Sequence, residues 1–273
     1  MVVWMPDAIY VFELKVHDTA LYRKNNLIFL QLKSMTLYRI KKFIKSISIV
    51  PINHIRETIR YKSYQKKANR EIESYLKQSD EPKLQIGCGK NLLKGWLNTD
   101  QSFKDGYSTV YMDAGIPFPI PDASFDYVYS EHLFEHLTYH QAMNMLKESY
   151  RVLKPGGIMR VATPDLKFLI ALYQEPEKPI HKAYIEYAAK KSGLPASPLF
   201  IINRFHIEWG HKIIYDRETL TRLLSDVGFK EIRTCEVGKS EHPALQGTEG
   251  HFKVFPYEFN QLETMILEGK KTV

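Results

Sequence analysis

The rhythm of apolar and polar positions changes at Pro82. Before it, Leu37, Ile40, Phe43, Ile44 and Ile47 recur at helical spacing, with Arg39, Lys41, Lys42 and Lys45 on the opposite arc. That pattern predicts a basic amphipathic helix, which Pro51 ends because proline cannot continue the hydrogen-bond ladder. Residues 53–78 read as a second, polar helix, and residues 1–34 show no clear period. From Pro82 onward, short apolar runs alternate with helical ones. Lys83–Ile86, Leu97–Thr99, Ser108–Met112, Phe125–Ser130, Ile158–Thr163, Ile232–Val237 and Leu262–Glu268 predict seven strands. Tyr139–Leu153 predicts a helix with Met143, Leu146, Tyr150 and Leu153 on one face, closed by Lys154-Pro155-Gly156-Gly157. Arg217–Val227 predicts another, with Asp216 as its cap and Gly228 at its end. Strands alternating with helices predict an α/β fold, a mostly parallel seven-stranded sheet with helices on both faces.

This divides the chain into a helical extension over residues 1–80 and an α/β domain over residues 81–273. Within the domain, residues 166–215 exceed what a minimal sheet needs and read as a lid-like insertion. Pro176, Pro179, Pro195 and Pro198 punctuate it, and it carries Tyr173, Tyr184, Tyr187, Phe200, Phe205 and Trp209. A second irregular segment, Ser240 to Asn260, holds Glu241, His242, Glu249, His251, Phe252 and Tyr257. Together the two segments predict the wall of an acceptor pocket of mixed polar and aromatic character; loop packing or a homodimer interface is the alternative use.

Charge sharpens the division. The net charge of +7 is carried by residues 1–80, which hold 15 Lys/Arg against 7 Asp/Glu, while the remainder holds 23 against 24. A basic amphipathic helix over residues 35–50 suits either an anionic membrane surface or packing on the next domain. Nucleic acid is a weaker partner, since Tyr61, Tyr64 and Tyr75 belong to no recognisable module. Met35 is an alternative start. Two cysteines, Cys88 and Cys235, make no disulfide framework and suit a reducing compartment. Asp7 and Pro6 interrupt what a signal peptide would need, so the expected location is cytoplasmic, peripheral to the inner face of the membrane if the basic helix docks there.

Candidate chemistry starts at Leu84-Gln85-Ile86-Gly87-Cys88-Gly89, an apolar run that stops at Gly-x-Gly, with Asp100 ending the next apolar segment. Glycines let the backbone approach a nucleotide-like ligand, and the acid can take ribose hydroxyls. Leu92 stands where a dinucleotide site has its third glycine, which disfavours NAD and an oxidoreductase. Further pieces follow in order: Asp113-Ala114; Pro119-x-x-Asp122-x-x-Phe125-Asp126; Ser130-Glu131-His132-Leu133-Phe134-Glu135-His136; and Arg151-Val152-Leu153-Lys154-Pro155-Gly156-Gly157.

In this order the motifs resemble the class I S-adenosylmethionine-dependent methyltransferases, and most nearly the type 11 branch, over roughly Pro82 to Gly269. The resemblance implies a Rossmann-like fold and S-adenosyl-L-methionine as cofactor. It implies that Gly87, Cys88 and Gly89 pass the methionine part, that Asp100 takes the ribose, and that Asp113 and Ala114 meet the adenine. It places Ser130 and Glu131 beside the transferable methyl. Asp100 and Asp113 could instead be turn acids, and Cys88 a small apolar filler. The short crossover after Gly89 departs from the family pattern.

Methyl transfer is an in-line displacement, and an oxygen acceptor must also lose a proton. His132 is the first choice of base, Glu131 its helper in orienting the acceptor or cofactor, and His211 the second choice; His136 reads as a packing residue. No His/Cys spacing reads as zinc and no acidic cluster demands magnesium, so no metal is expected. The expected function is O-methylation of a small polar acceptor, a sugar or a surface-polysaccharide precursor. The alternative is a non-catalytic scaffold of the same fold that binds a membrane or protein partner through the extension.

Overall fold

A computed structural model of the chain describes residues 2–5, 8–11, 63–101, 109–251 and 255–272. The chain divides into two compact units, Met1–Lys62 and Ser63–Val273. In the first, β1 (Val2–Met5) and β2 (Ala8–Val11) pair antiparallel. The basic helix expected over residues 35–50, and with it the membrane contact and Met35, lie outside the described residues.

The second unit begins earlier than residue 81. Residues 63–78 form helix α1, whose Ala68 and Ile72 are buried in the main hydrophobic core. Tyr75 Oη donates to the carbonyl of Lys83 and accepts from its amide at 2.9 Å. Residues expected in a separate extension therefore belong to the α/β unit, because their apolar positions are buried there.

The sheet of the second unit holds β3 (Lys83–Ile86), β4 (Leu97–Asp100), β5 (Val110–Tyr111), β6 (Phe125–Glu131), β7 (Leu153–Pro164), β8 (Lys230–Cys235) and β9 (Thr264–Lys270). Their order is β5-β4-β3-β6-β7-β9-β8. All neighbouring pairs are parallel except β7–β9 and β8–β9. This is the mostly parallel Rossmann-like sheet the pattern predicted. The chain runs outward from β3 to β5, then returns to start β6 on the other side of β3. Such a switch point leaves a crevice at the carboxyl ends of the strands, where ligands of open α/β sheets bind.

Five helices follow β6: α2 (Tyr139–Val152), α3 (Leu166–Gln174), α4 (Pro179–Ser192), α5 (Pro198–Ile207) and α6 (Arg217–Val227). A sixth, α7 (Tyr257–Glu263), precedes β9. Thr138 opens α2 with a capping box: its hydroxyl accepts from the Gln141 amide while the Gln141 side chain returns to the Thr138 amide. Asp216 caps α6 through the Thr219 amide at 2.7 Å. Most strand boundaries differ from the pattern by a few residues, and two of the shifts have a visible cause. Strand β9 begins at Thr264 rather than Leu262, because the residues before it complete α7. Strand β7 begins at Leu153, so the Lys-Pro-Gly-Gly turn lies inside it, Gly156 adopting the φ of +85° that the turn requires.

The insertion is helical. Helices α3, α4 and α5 bury Phe168, Leu172, Tyr184, Ile185, Ile201 and Phe205 in a core of their own, which Phe259 of α7 joins. A buried ion network fastens the chain after β8. Arg160 of β7, fully buried, donates to Glu249 at 2.7 Å and to Glu268 at 2.6 Å, and reaches the carbonyls of Lys239 and Glu236. Among the described residues no helix is long and apolar enough to cross a membrane.

Candidate active site

The first cavity is built by strand ends. After Ile86 the chain turns through Gly87 at φ +69° and Gly89 at φ +51°, backbone conformations that side chains rarely adopt. A Cβ on Gly87 would stand 2.7 Å from Leu133 Cδ2, so this turn also needs the space a glycine leaves. The Gly89 amide donates to Asp100 Oδ2 at 2.9 Å, which draws the acid at the end of β4 against the glycine turn. Asp113, just past β5, accepts from the Gly115 amide at 2.7 Å and from Gln101 at 3.1 Å. Gly87, Asp100, Asp113 and Ala114 line a cavity of about 410 Å³, closed by Ile86 and Leu133 among its apolar walls.

Other residues expected here lie behind the wall. Cys88 is buried, and burial with the nearby Asp100 charge pushes its thiol up to about 12, so it stays protonated and inert. Ser130 is fully buried in β6, where it pairs with Ile86 and Val161. The Glu131 carboxylate accepts from the amides of Gly250 and His251 and from Asn91 Nδ2, which ties the 250–251 backbone to the sheet.

The second cavity, about 380 Å³, opens on the next residue of the same turn: His132 lines it, while Leu133 lines the first. Its walls come from the insertion (Tyr184, Tyr187, Phe205, Trp209) and from Phe255, and Lys191 and Arg204 stand among them. Its floor is a cluster around Glu135, which is fully buried. Glu135 Oε1 meets His132 Nδ1 at 3.0 Å and lies 4.0 Å from Nε2 of both His136 and His211; its other oxygen accepts from Thr163 Oγ1 at 3.0 Å. Burial would raise this carboxyl, but the hydrogen bond and charge of His132, with the charge of His136, hold it below its usual range.

The two candidate bases differ. Burial alone would lower His132, but the Glu135 hydrogen bond and the charges of Glu135, Glu263 and Glu131 raise it to about 9. Its Nε2 is buried without a hydrogen-bond partner, and its ring lies 4.3 Å from that of His251. His132 also sits at φ +47°, a strained conformation of the kind that gathers at functional sites. His211 behaves oppositely: burial lowers it, against the pull of Glu135. Its Nδ1 stands 2.7 Å from the Phe205 carbonyl, which can only accept, so Nδ1 carries the proton and Nε2 of the neutral ring holds a lone pair.

A family model described as a methyltransferase domain matches residues 97–161, the stretch from β4 through most of β7. The matched family agrees with the class I S-adenosylmethionine-dependent methyltransferases that the sequence motifs resemble. Several solved structures are also similar at low identity. A SAM-dependent methyltransferase of Thermotoga maritima, described as a possible histamine N-methyltransferase, is 18% identical with a TM-score of 0.40, over 81% of this chain and 97% of that one. One from Archaeoglobus fulgidus is 16% identical with a TM-score of 0.41, over 76% and 94%. Phosphoethanolamine N-methyltransferase 2 of Haemonchus contortus, in complex with S-adenosyl-L-methionine, is 15% identical with a TM-score of 0.37, over 76% and 53%.

The first cavity has the features that S-adenosyl-L-methionine, the cofactor implied by the sequence resemblance, would require. It combines a glycine-lined edge, two carboxylates at successive strand ends, and apolar side chains (Ile86, Met112, Leu133, Leu137) suited to a base. Motif order in the sequence picked out Gly87, Asp100, Asp113 and Ala114, and the structure gathers all four. It passed over Glu135, Glu263 and Arg160. Glu135 had a signal: it stands within His132-x-x-Glu135-His136, where its carboxylate shares a face with His132. Nothing local marks Glu263 or Arg160, whose partners are distant in the chain.

Proposed function

We propose that this protein is an S-adenosyl-L-methionine-dependent methyltransferase that O-methylates a small polyhydroxylated acceptor, a sugar or a precursor of a surface polysaccharide, held in the second cavity. The observation that carries this reading is an aromatic-walled cavity beside the cofactor cavity, with a neutral imidazole, His211, on its floor. Ring faces suit the C–H faces of a sugar, and the polar floor suits its hydroxyls. Lys191 and Arg204 add affinity for an acceptor carrying an anionic group.

Bound S-adenosyl-L-methionine supplies an electrophilic methyl on its sulfonium. Gly87 and Gly89 let the backbone pass the methionine part, Asp100 accepts from the ribose hydroxyls, and Asp113 with the Ala114 backbone meets the adenine. The insertion helices and Phe255 orient the acceptor and exclude water, which is most of what an in-line displacement asks of an enzyme. His211 Nε2 takes the acceptor's proton. His132, held with its proton by Glu135, is a positioning residue in this scheme, and Glu131 acts through the 250–251 backbone rather than on the methyl.

The test is transfer of labelled methyl from the cofactor to a panel of mono- and oligosaccharides and sugar phosphates, with an amine panel beside it. An ether product at one hydroxyl, formed roughly tenfold to hundredfold more slowly by Asp100→Ala at sub-saturating cofactor, is expected. Methylation of amines alone would overturn the assignment to oxygen.

A further inference from the structure

We infer that His132, His251 and Glu263 bind a divalent transition-metal ion at the floor of the acceptor cavity. One donor atom from each lies within 4.8 Å of the other two, and all three residues line the cavity. His251 Nε2 is 3.4 Å from Glu263 Oε1. Donors about 2.0–2.1 Å from an ion stand roughly 3.0–3.5 Å apart, so the set closes with side-chain movements of under about 1 Å.

Two independent features point to a ligand there. The first is the bare Nε2 of His132, buried and without a partner although its ring is anchored at the other nitrogen. Buried polar atoms are nearly always satisfied, and an ion at this position satisfies it. The second is the set of contacts behind the donors. Glu135 holds His132 through Nδ1, which is the carboxylate–histidine arrangement that orients metal-bound imidazoles. Tyr184 Oη donates to Glu263 Oε2, leaving the other carboxylate oxygen towards His251. The His251 backbone is pinned by Glu131 at 3.0 Å. The carboxylates of Glu131, Glu135 and Glu263 surround His132 with negative charge, which favours any cation at its outer nitrogen, proton or metal.

Two imidazoles and one carboxylate with open positions suit zinc, iron(II), cobalt, nickel or manganese better than calcium or magnesium. The sequence hid the set because its members lie 119 and 12 positions apart, outside the spacings that mark zinc motifs. If the proposed O-methylation holds, on which this extension rests, the open positions take neighbouring hydroxyl oxygens of the acceptor and fix which one faces the methyl. His211 is outside the set and keeps its role as proton acceptor.

The experiment uses full-length protein without a histidine tag, stripped with a chelator and titrated with cobalt(II) and zinc. Calorimetry gives stoichiometry and the visible spectrum of cobalt(II) gives coordination. One equivalent bound at micromolar or tighter affinity is expected, falling at least tenfold in His251→Gln and in Glu263→Gln and staying within threefold in His136→Ala. Each variant is kept only if it melts cooperatively and binds S-adenosylhomocysteine like wild type. No stoichiometric metal in such protein overturns the site. So does metal lost on His136→Ala but kept on His251→Gln, which would place it at the neighbouring group of Glu135, His136 and His211. Since no acceptor enters the titration, metal binding without sugar methylation would overturn only the acceptor assignment.

Discussion

The two cavities meet at consecutive residues, His132 and Leu133, yet they are assembled on different principles. The first cavity is built from what each strand does at its own end: a glycine turn after β3, an acid ending β4, an acid after β5. The second cavity, where we place the acceptor, is assembled across the whole domain. Its floor joins the turn after β6 to residues from the end of the insertion and from just before β9, and its aromatic wall is borrowed from helices that minimal sheets of this kind do without. A cavity made of strand ends rests on residues each placed by local backbone geometry. A cavity made of remote segments rests on packing across the domain.

The sharpest way to break this comparison is to strike one cavity and read both. His211→Ala is expected to lower kcat about a hundredfold to ten-thousandfold, the range of a lost general base, with S-adenosylhomocysteine affinity unchanged. Loss of cofactor binding in that variant would show the cavities to be one energetic unit.

Arg160→Leu strikes the scaffold of the acceptor side. It leaves the buried carboxylates of Glu249 and Glu268 without their shared partner, and breaking such a network costs about 3–5 kcal/mol. A fall in Tm, with faster hydrogen exchange in residues 236–250 than in β3 and β4, is expected. Uniform exchange across the domain would contradict the division.

Asp100→Ala strikes the other side. Losing a charged hydrogen-bond acceptor is worth about 1.5–3 kcal/mol, or roughly a tenfold to hundredfold weakening of S-adenosylhomocysteine measured by calorimetry. Cobalt binding should be unaffected.

The smallest effect is on pH. Burial lowers His211, so its neutral form persists below the pH at which an ordinary histidine gains a proton. With saturating cofactor, kcat/KM is expected to be level from pH 8 to 6.5 and to fall only at lower pH, as the ring is protonated. The same limb should vanish in whatever residual activity His211→Ala retains. A profile still rising between pH 8 and 9 would contradict His211 as the base.

The difference between the cavities is also a difference in what could be read in advance. The strands, the glycine turn, Asp100, Asp113 and Ala114 were legible because a strand, a turn and a terminal acid are local: their residue types and spacing are dictated by backbone geometry within a few positions. The boundary at residue 81 was misplaced because α1 has a polar appearance along its length, and only packing reveals that Ala68 and Ile72 are core. Of the chemistry beside the methyl, histidine was visible as a residue type, but its state was not. His132 and His211 look alike in sequence. One keeps its proton because Glu135, fully buried, is bonded to it; the other is lowered because burial disfavours its charge, outweighing Glu135 and the Phe205 carbonyl, which favour it. Sequence alone thus determined the mostly parallel sheet, which follows from short-range periodicity, and the residues Gly87, Asp100, Asp113 and Ala114 that line the first cavity, which motif order marks. The tertiary structure alone decided which imidazole is bare, which carboxylate is buried among histidines, and that His251 and Glu263 reach His132. Those outcomes depend on burial and charge contributed by segments that lie from tens of residues to more than a hundred apart.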